Sequence, residues 1–179
     1  MSNPTPFFDL HTALGGSFAD YCGWRLPADY GNMADELAAL HSRSAAFDLS
    51  AFGRIAVSGA ESGRLMDVLL AGKTAGLTDS ACIWSFICHK TGRLADIVRV
   101  AHLDDFYLVL TSPGKSRAIT ELAQAAASEF GLTKVKVADQ TNQTGMLGVY
   151  GPGAFQSISN IIPIDISRLK SGDATRLSI

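Results

Sequence analysis

The sequence has 179 residues, a formal net charge of −2, 47% hydrophobic residues and 18% charged residues. This composition is typical of a globular domain and excludes a disordered chain, and the lack of a basic surplus excludes nucleic acid and anionic membrane surfaces as expected partners. No apolar run approaches the roughly 20 residues that cross a bilayer, and the N-terminus resembles no targeting segment, so we expect one cytoplasmic domain over residues 1–179.

The first half of the chain contains helix and strand signals in alternation. An alanine- and leucine-rich run at residues 33–43 predicts an amphipathic helix that packs on another element. Residues 54–57 form a short strand candidate. Ser58 and Glu61 have the S-x-x-E spacing of a capping box, which predicts a second helix ending near Gly72.

β-prone residues dominate the middle of the sequence. Three runs, at residues 82–89, 94–103 and 106–111, are separated by turn residues. Their spacing predicts an antiparallel meander.

The last third of the sequence returns to mixed elements. Ser112 is the expected N-cap of a helix that ends at Gly131. Strands at residues 134–138 and 146–150 and a helix at residues 155–162 complete the pattern. The elements together predict an α+β fold in which helices pack on antiparallel or mixed sheets.

The cysteines give no sign of a metal site or a disulfide framework. Cys22, Cys82 and Cys88 are odd in number and lack C-x-x-C spacing, which favours free and mostly buried thiols. His89 follows Cys88, but no further ligands stand at a recognisable spacing, so we predict no metal. No phosphate-binding or nucleophile motif is present either.

Asp96 carries the clearest chemical signal. The period of two of its strand places it on one face with three apolar residues, Leu94, Val98 and Val100. A buried carboxylate must be paired, protonated or supplied with a partner. From the residues alone, an ion pair with Arg93 or Arg25, a strand-end position in water, and a functional acid all stay open.

Two further groups of residues contain side chains that could take part in binding. Trp84, Phe86 and Cys88 share one face of the preceding strand, where Trp84 is suited to stacking on a flat heterocycle, although core packing is the favoured interpretation. Asp139 and Thr141 are expected to be turn or cap residues.

Several strings resemble, in order and spacing, the glycine-cleavage T-protein family of aminomethyltransferases. T-P-F-F-D-L-H at residues 5–11 and G-W-R-L-P at residues 23–27 begin the resemblance. Residues 47–53 are similar to the family's F-D-V-S-H-M-G, residues 92–98 to its G-G-x-x-D-D-L-I-V strand, and residues 151–152 to its Q-G-P turn.

The resemblance implies the fold and function of the family's folate-binding N-terminal half. It implies tetrahydrofolate as cofactor and Asp96 as the catalytic acid, which would position and charge the folate nitrogen. Phe52, Trp84 and Thr111 match positions that line the pocket, so these three and Asp96 form the expected folate-binding set. In the family's reaction, an aminomethyl group from a lipoyl carrier protein gives its methylene to tetrahydrofolate and releases ammonia.

Departures from the family pattern leave the activity open. The family strand has two adjacent acids, and Asp96 matches either the first or the second; in the first case Ile97 stands at the position of the working acid. Ala51-Phe52 stands in place of the family's His-Met pair. Trp84 replaces a Tyr of the family's pocket, and Thr111 replaces an Asn. Family enzymes are also longer than this chain.

Three interpretations follow. The leading one is a tetrahydrofolate-binding, aminomethyltransferase-like protein of glycine-cleavage and one-carbon metabolism. The alternatives are a non-catalytic folate-binding or assembly module, and a degenerate scaffold without folate binding. The expected partners are folate, a lipoyl carrier protein, and a homodimer mate or second chain that completes the family's ring of subdomains.

Overall fold

The computed structural model describes residues 2–72, 74, 77–162 and 166–176. Its contacts divide the chain into two compact units. Unit 1 consists of Met1–Ala51 and Gln143–Arg168, and unit 2 of Phe52–Asn142 and Leu169–Ile179. The assignment of residues 1–179 to a single folate-binding domain stays a prediction.

The elements are named in chain order. They are β1 (Asn3–Pro4), α1 (Phe8–Ala13), β2 (Ser17–Tyr21), β3 (Trp24–Asp29), α2 (Met33–Ser42), β4 (Ala45–Asp48), β5 (Gly53–Ser58), α3 (Ser62–Leu69), β6 (Cys82–Cys88), β7 (Leu94–Leu103), β8 (Phe106–Thr111), α4 (Ser116–Glu129), β9 (Lys136–Asp139), β10 (Leu147–Tyr150) and α5 (Ala154–Ser159). The mixture of helices and sheets confirms the predicted α+β class. Among the described residues, none of the helices has the length and hydropathy of a membrane-spanning segment.

Unit 2 is built on a five-stranded sheet with the order β6-β7-β8-β5-β9. Every neighbouring pair in it is antiparallel, which confirms the predicted meander. One face of the sheet packs against α3 and α4, because alternate strand residues join the buried side chains of both helices in one apolar cluster. The opposite face of the sheet lies outside this cluster.

The start of α4 differs from the prediction, and its end agrees with it. Ser112 does not cap the helix, because Gly114 has a φ of 73° and carries the chain through one more turn, in which Lys115 N–H donates to the Ser112 carbonyl at 3.1 Å. The helix therefore begins at Ser116, without a side-chain cap. Gly131, with a φ of 63°, ends it as predicted.

The predicted capping box is also wrong. Gly59 turns the chain with a φ of 104°, and the Glu61 carboxylate accepts the Lys134 N–H at 2.7 Å instead of returning to Ser58. α3 begins one residue after Glu61 and ends at Leu69, short of the predicted Gly72.

Unit 1 contains two small sheets. One has the order β1-β3-β2 and the other pairs β10 with β4. α2 forms where it was predicted, with the Asn32 side chain accepting the N–H groups of Ala34 and Asp35 at 3.1 and 3.3 Å. The predicted packing of α2 is confirmed only in part, because α2 contacts β4 with Ala39 and Leu40 half-buried, but none of its residues is fully buried.

The cysteine prediction is partly wrong. Cys22, Cys82 and Cys88 are free thiols, but Cys22 and Cys88 are exposed and Cys82 is half-buried. Cys22 lies in the turn between β2 and β3 with a φ of 49°, and Cys88 points away from the core of unit 2. The turn exposes Cys22, and the alternation of side chains along β6 exposes Cys88. The apolar character of a thiol does not override these backbone constraints.

Candidate functional site

Asp96 lies on the helix-covered face of the unit 2 sheet. Its residue exposure is 6%, and it shares this face with the buried Val98 and Val100, as predicted. Its Oδ2 accepts the Ser112 N–H at 2.8 Å, and its Oδ1 accepts the Ile97 N–H at 2.9 Å. No ion pair among the described residues involves Asp96, so two backbone amides, and not Arg93 or Arg25, are its partners.

A β-bulge at Ala95 separates Asp96 from Leu94. In the register with β6, Ile87 lies opposite Asp96, but the next residue, Cys88, lies opposite Leu94. The extra residue turns Leu94 to the other face, where it is 55% exposed. The prediction that Leu94 shares the face of Asp96 is therefore wrong.

Trp84 lies on the face of the sheet opposite to Asp96. The predicted shared face of Trp84, Phe86 and Cys88 is confirmed, because the residues between them are buried and these three are exposed. The favoured core role is wrong, since Trp84 is 70% exposed and Phe86 is 50% exposed. The sheet itself separates the Trp84 indole from the Asp96 carboxylate.

The outward face around Trp84 combines apolar side chains with one cation. Trp84 pairs with Arg99 across the strands, and the guanidinium carbon lies 5.5 Å from the centre of the Trp84 rings. Phe86 pairs with Ile97, which is 47% exposed. We refer to Trp84, Phe86, Ile97 and Arg99 as the outward patch. Its chemistry suits a ligand that combines a flat ring with a negatively charged group.

The other two predicted site residues lie near the start of β5 and the end of β8. Thr111 is 1% exposed, and its Oγ1 donates to the Ser112 carbonyl at 3.2 Å. It pairs with Gly53, which follows Phe52. The Phe52 carbonyl accepts a hydrogen bond from Arg54 Nη1 at 2.5 Å. The structure thus brings Thr111 and Ser112 to the Asp96 side of the sheet and leaves Trp84 on the other side.

The interpretation of Asp139 and Thr141 as turn residues is confirmed. The Asp139 carboxylate accepts hydrogen bonds from both the backbone N–H, at 2.9 Å, and the hydroxyl of Thr141. The Thr141 oxygen in turn accepts the N–H of Arg54 at 3.0 Å.

A buried polar network in unit 1 was not found by sequence reasoning. Asp48, whose side chain is fully buried, accepts hydrogen bonds from the Thr5 hydroxyl and from Ser50 N–H at 2.9 Å. Its Oδ2 lies 3.0 Å from His11 Nε2, and His11 Nδ1 lies 2.5 Å from the Tyr30 hydroxyl. The strings at residues 5–11 and 47–53 contain four of these five residues, but nothing in the sequence indicates that they meet.

The electrostatics of this network follow from its contacts. Burial by itself raises the pKa of the Asp48 carboxyl, but hydrogen bonds from Ser50, Thr5 and His11 outweigh burial and hold that pKa below its usual value. For Tyr30, burial first and then the charges of Asp48 and Glu36 raise the pKa. Asp48 is therefore an ionised acceptor that ties together three segments of unit 1.

A cavity of about 540 Å³ lies along α2 in unit 1. Apolar side chains of α2 and β4 dominate its lining, and Tyr30, Glu36 and Asp48 are among its polar members. It includes none of the residues predicted to bind folate, which all belong to unit 2. In the part of the chain that the structure describes, no three His, Cys, Asp or Glu side chains come together in a way that could hold a metal ion.

Comparisons with known proteins agree on one family. The model of the GCVT N-terminal domain matches residues 7–179. The aminomethyltransferase of Cutibacterium acnes is 33% identical over 157 residues, which are 86% of this chain and 41% of that protein. The aminomethyltransferase of Bacillus subtilis is 27% identical over 172 residues, which are 95% of this chain and 46% of that protein.

A solved structure gives the same fold. The glycine cleavage system aminomethyltransferase T from Bartonella henselae has a TM-score of 0.87 and 20% identity, and the match covers 98% of this chain and 47% of that one. The chain therefore spans less than half the length of the relatives it matches. Because the family model matches nearly the whole sequence, the chain belongs to the aminomethyltransferase family defined by the GCVT N-terminal domain, as its motifs predicted.

Proposed function

We propose that this chain is the tetrahydrofolate-binding part of an aminomethyltransferase of glycine-cleavage and one-carbon metabolism. One observation carries the proposal, namely the family match from residue 7 to residue 179. In this proposal the donor is an aminomethyl group on a lipoyl carrier protein, and the acceptor of the methylene is tetrahydrofolate. The transfer reaction needs both the donor and tetrahydrofolate. Folate binding, in contrast, can be tested directly on this chain.

The outward patch is the proposed position of the pteridine ring. Trp84 is 70% exposed, and an exposed indole offers a flat apolar surface on which a heterocycle stacks. Phe86 and Ile97 extend that surface along the two strands. Arg99 lies beside the indole, and its N–H groups are hydrogen-bond donors for a polar atom at the edge of the stacked ring.

The catalytic role of Asp96 is a separate proposal. A carboxylate that charges the folate nitrogen must reach the ligand, but that of Asp96 accepts two backbone amides on the helix-covered face. Thr111 lies on that same face. A ligand that touches Trp84 from outside therefore contacts Asp96 only if the strand opens at its bulge.

The second candidate is a scaffold that keeps the family fold without binding folate. One observation favours it: Asp96 faces the helices, and the neighbour that shares the face of Trp84 is the apolar Ile97. The outward patch contains no carboxylate, and if Asp96 matches the first of the family's two acids, Ile97 stands at the position of the second.

Calorimetric titration with tetrahydrofolate under anaerobic conditions tests the proposal. We expect binding at micromolar concentrations that Trp84→Leu weakens by about tenfold, a loss of about 1.4 kcal/mol. Leu103→Ala, a change on the same strand as Arg99 but outside the patch, is the matched control and should leave binding unchanged. If tetrahydrofolate does not bind to the unaltered chain, the proposal is rejected, and the second candidate, a scaffold without folate binding, is favoured.

Asp96→Asn, measured in the same titration, decides the role of the acid. Weakened binding at unchanged unfolding temperature assigns Asp96 to the ligand. Unchanged binding at a lowered unfolding temperature assigns it to the fold.

A further inference from the structure

The outward face of the unit 2 sheet continues beyond the outward patch to the end of the β6–β7 hairpin. Three neighbouring cross-strand pairs form one row on this face, namely Trp84 with Arg99, Phe86 with Ile97, and Cys88 with Leu94. All of these residues are exposed, and Leu94 joins the row because the bulge at Ala95 turns it outward. We refer to these three pairs as the outward row, and they offer a ligand an extended, largely apolar track.

A hollow of about 450 Å³ lies at the hairpin end of the outward row. We refer to it as the basic hollow, and its lining residues are His89, Thr91, Arg93, Leu94, Ala95 and Lys115. Leu94 belongs both to this lining and to the outward row. The basic hollow therefore begins where the outward row ends.

The rim of the basic hollow carries positive charge. Arg93 and Lys115 are exposed, and neither forms an ion pair among the described residues. The adjacent Lys90, in contrast, is paired with Glu129 at 2.7 Å. No acidic residue is among those that line the hollow in the described part of the chain, and the nearby Asp96 is 6% exposed with both oxygens bound to backbone amides. An anion that enters the hollow therefore meets two cations that have no partner of their own.

The length of the outward row sets the shape of a ligand that uses both ends. Cys88 follows Trp84 by four positions on β6, which corresponds to roughly 13 Å along an extended strand. A compact anion cannot contact the Trp84 indole and the basic hollow together. A ligand that contacts both is elongated, with a flat ring at one end, an apolar spacer over Phe86 and Ile97, and acidic groups at the other end.

We infer that the basic hollow binds the carboxylate end of a ligand that lies along the outward row, and that Arg93 and Lys115 hold its carboxylates. The inference rests on the proposed function and deepens it, because tetrahydrofolate has this order of groups: a pteridine, a benzoyl spacer and a glutamate. The pteridine lies on Trp84 and the glutamate lies in the hollow. The two ends of the ligand are therefore bound by different residues.

The positions of the two cations favour carboxylates on a chain over a free inorganic anion. Arg93 directly precedes β7, and Lys115 directly precedes α4, so the cations belong to different segments. A glutamate at the end of the ligand carries two carboxylates, one for each cation. Inorganic phosphate could neutralise the cations, but it would leave the apolar row without a contact.

Two partial ligands test the two ends of the site separately. Tri-γ-glutamate has the carboxylates without the ring, and tetrahydropterin has the ring without the carboxylates. In NMR titrations of the full chain, we expect tri-γ-glutamate to shift the backbone amide resonances of residues 89–95 and 115. Tetrahydropterin, under anaerobic conditions, should instead shift those of residues 84–86 and 97–99.

A double variant, Arg93→Gln with Lys115→Gln, tests the cations. We expect it to weaken tetrahydrofolate about tenfold in calorimetric titration and to leave tetrahydropterin unchanged. Trp84→Leu should do the reverse for the partial ligands, since it removes the ring contact and leaves the hollow intact. The matched control is Lys134→Gln with Lys136→Gln, which removes two exposed charges at β9, on the opposite edge of the sheet from β6.

The outcomes separate this inference from the proposed function. Tetrahydrofolate binding that the Arg93 and Lys115 substitutions do not weaken overturns the inference and leaves the proposed function intact. Equal weakening by the control overturns it too, because net charge is then the cause. Tri-γ-glutamate that shifts none of residues 89–95 and 115, or that binds no more tightly than inorganic phosphate, also overturns it. If tetrahydrofolate does not bind but tri-γ-glutamate shifts these residues, the proposed function fails and the carboxylate site stands.

Discussion

The backbone amide of Ser112 donates to the Asp96 carboxylate at 2.8 Å, and this bond joins β7 to the turn that leads into α4. A second amide, that of Ile97, donates to the other oxygen at 2.9 Å. Asp96, the only acid in the strand that resembles the family motif, thus fixes the position of the turn before α4. The same carboxylate lies on the opposite face of the sheet from Trp84.

Replacing Asp96 should destabilise the protein. Asp96→Ala leaves two part-buried amides without their acceptor, and we expect the free energy of unfolding to fall by about 1–3 kcal/mol. Urea denaturation measures this change. Asp105→Asn, in the exposed turn between β7 and β8, is the control and should change stability by less than about 0.5 kcal/mol. Equal stability of Asp96→Ala and the unaltered chain would contradict the structural role.

Gly53 should tolerate no side chain. A Cβ at this position would lie 2.1 Å from Thr111 Oγ1 and 2.7 Å from Ser116 Cβ, so Gly53→Ala forces β5 away from the start of α4. We expect a loss of about 1–3 kcal/mol in thermal or urea unfolding.

The matched control for Gly53 is Gly63→Ala in α3. There the added methyl group meets only the Tyr107 hydroxyl, at 3.4 Å, and alanine favours the helix by roughly 0.5–1 kcal/mol. Gly63→Ala should therefore be neutral or stabilising. If both substitutions have the same effect, the close approach at Gly53 is not the cause.

The Asp48 network should make stability depend on pH in the acid range. The folded-state pKa of Asp48 lies below its ordinary value of 3.8, so its contribution is fully present above that value and is lost as the pH falls through the folded-state pKa. Urea denaturation between about pH 2 and pH 7 measures this slope. Asp48→Asn should flatten it and lower stability at neutral pH.

Asp20→Asn on β2 is the control for this titration, since Asp20 is exposed and outside the network. A slope that persists in Asp48→Asn would show that another carboxylate dominates the acid unfolding.

Much of unit 2 was predictable because its signals are local. The alternation of apolar residues in β6, β7 and β8 gave their positions and showed that Asp96 shares a face with Val98. Gly131 marked the end of α4 because its positive φ is a local requirement. Alternation cannot show, however, which of the two faces of a strand the helices cover, and for this reason the sequence pattern alone favours a core position for Trp84, which is 70% exposed.

Other features depend on contacts that the sequence pattern does not contain. The bulge at Ala95 breaks the period of two, so Leu94 turned outward. The turn at Gly114 moved the start of α4 away from Ser112. His11 and Asp48 are 37 positions apart, and the Tyr30 hydroxyl reaches His11 from a third segment. Only the tertiary fold brings these groups together.

The measurement that tests the central claim most directly is tryptophan fluorescence of Trp24→Phe during anaerobic titration with tetrahydrofolate. Trp24 and Trp84 are the two tryptophans, so this variant leaves Trp84 as the reporter on the outward patch. We predict emission that changes and saturates at micromolar tetrahydrofolate, with an unfolding temperature for unit 2 equal to that of the unaltered chain. If the emission of the folded variant shows no saturable change, this result contradicts the stacking of a pteridine ring on Trp84.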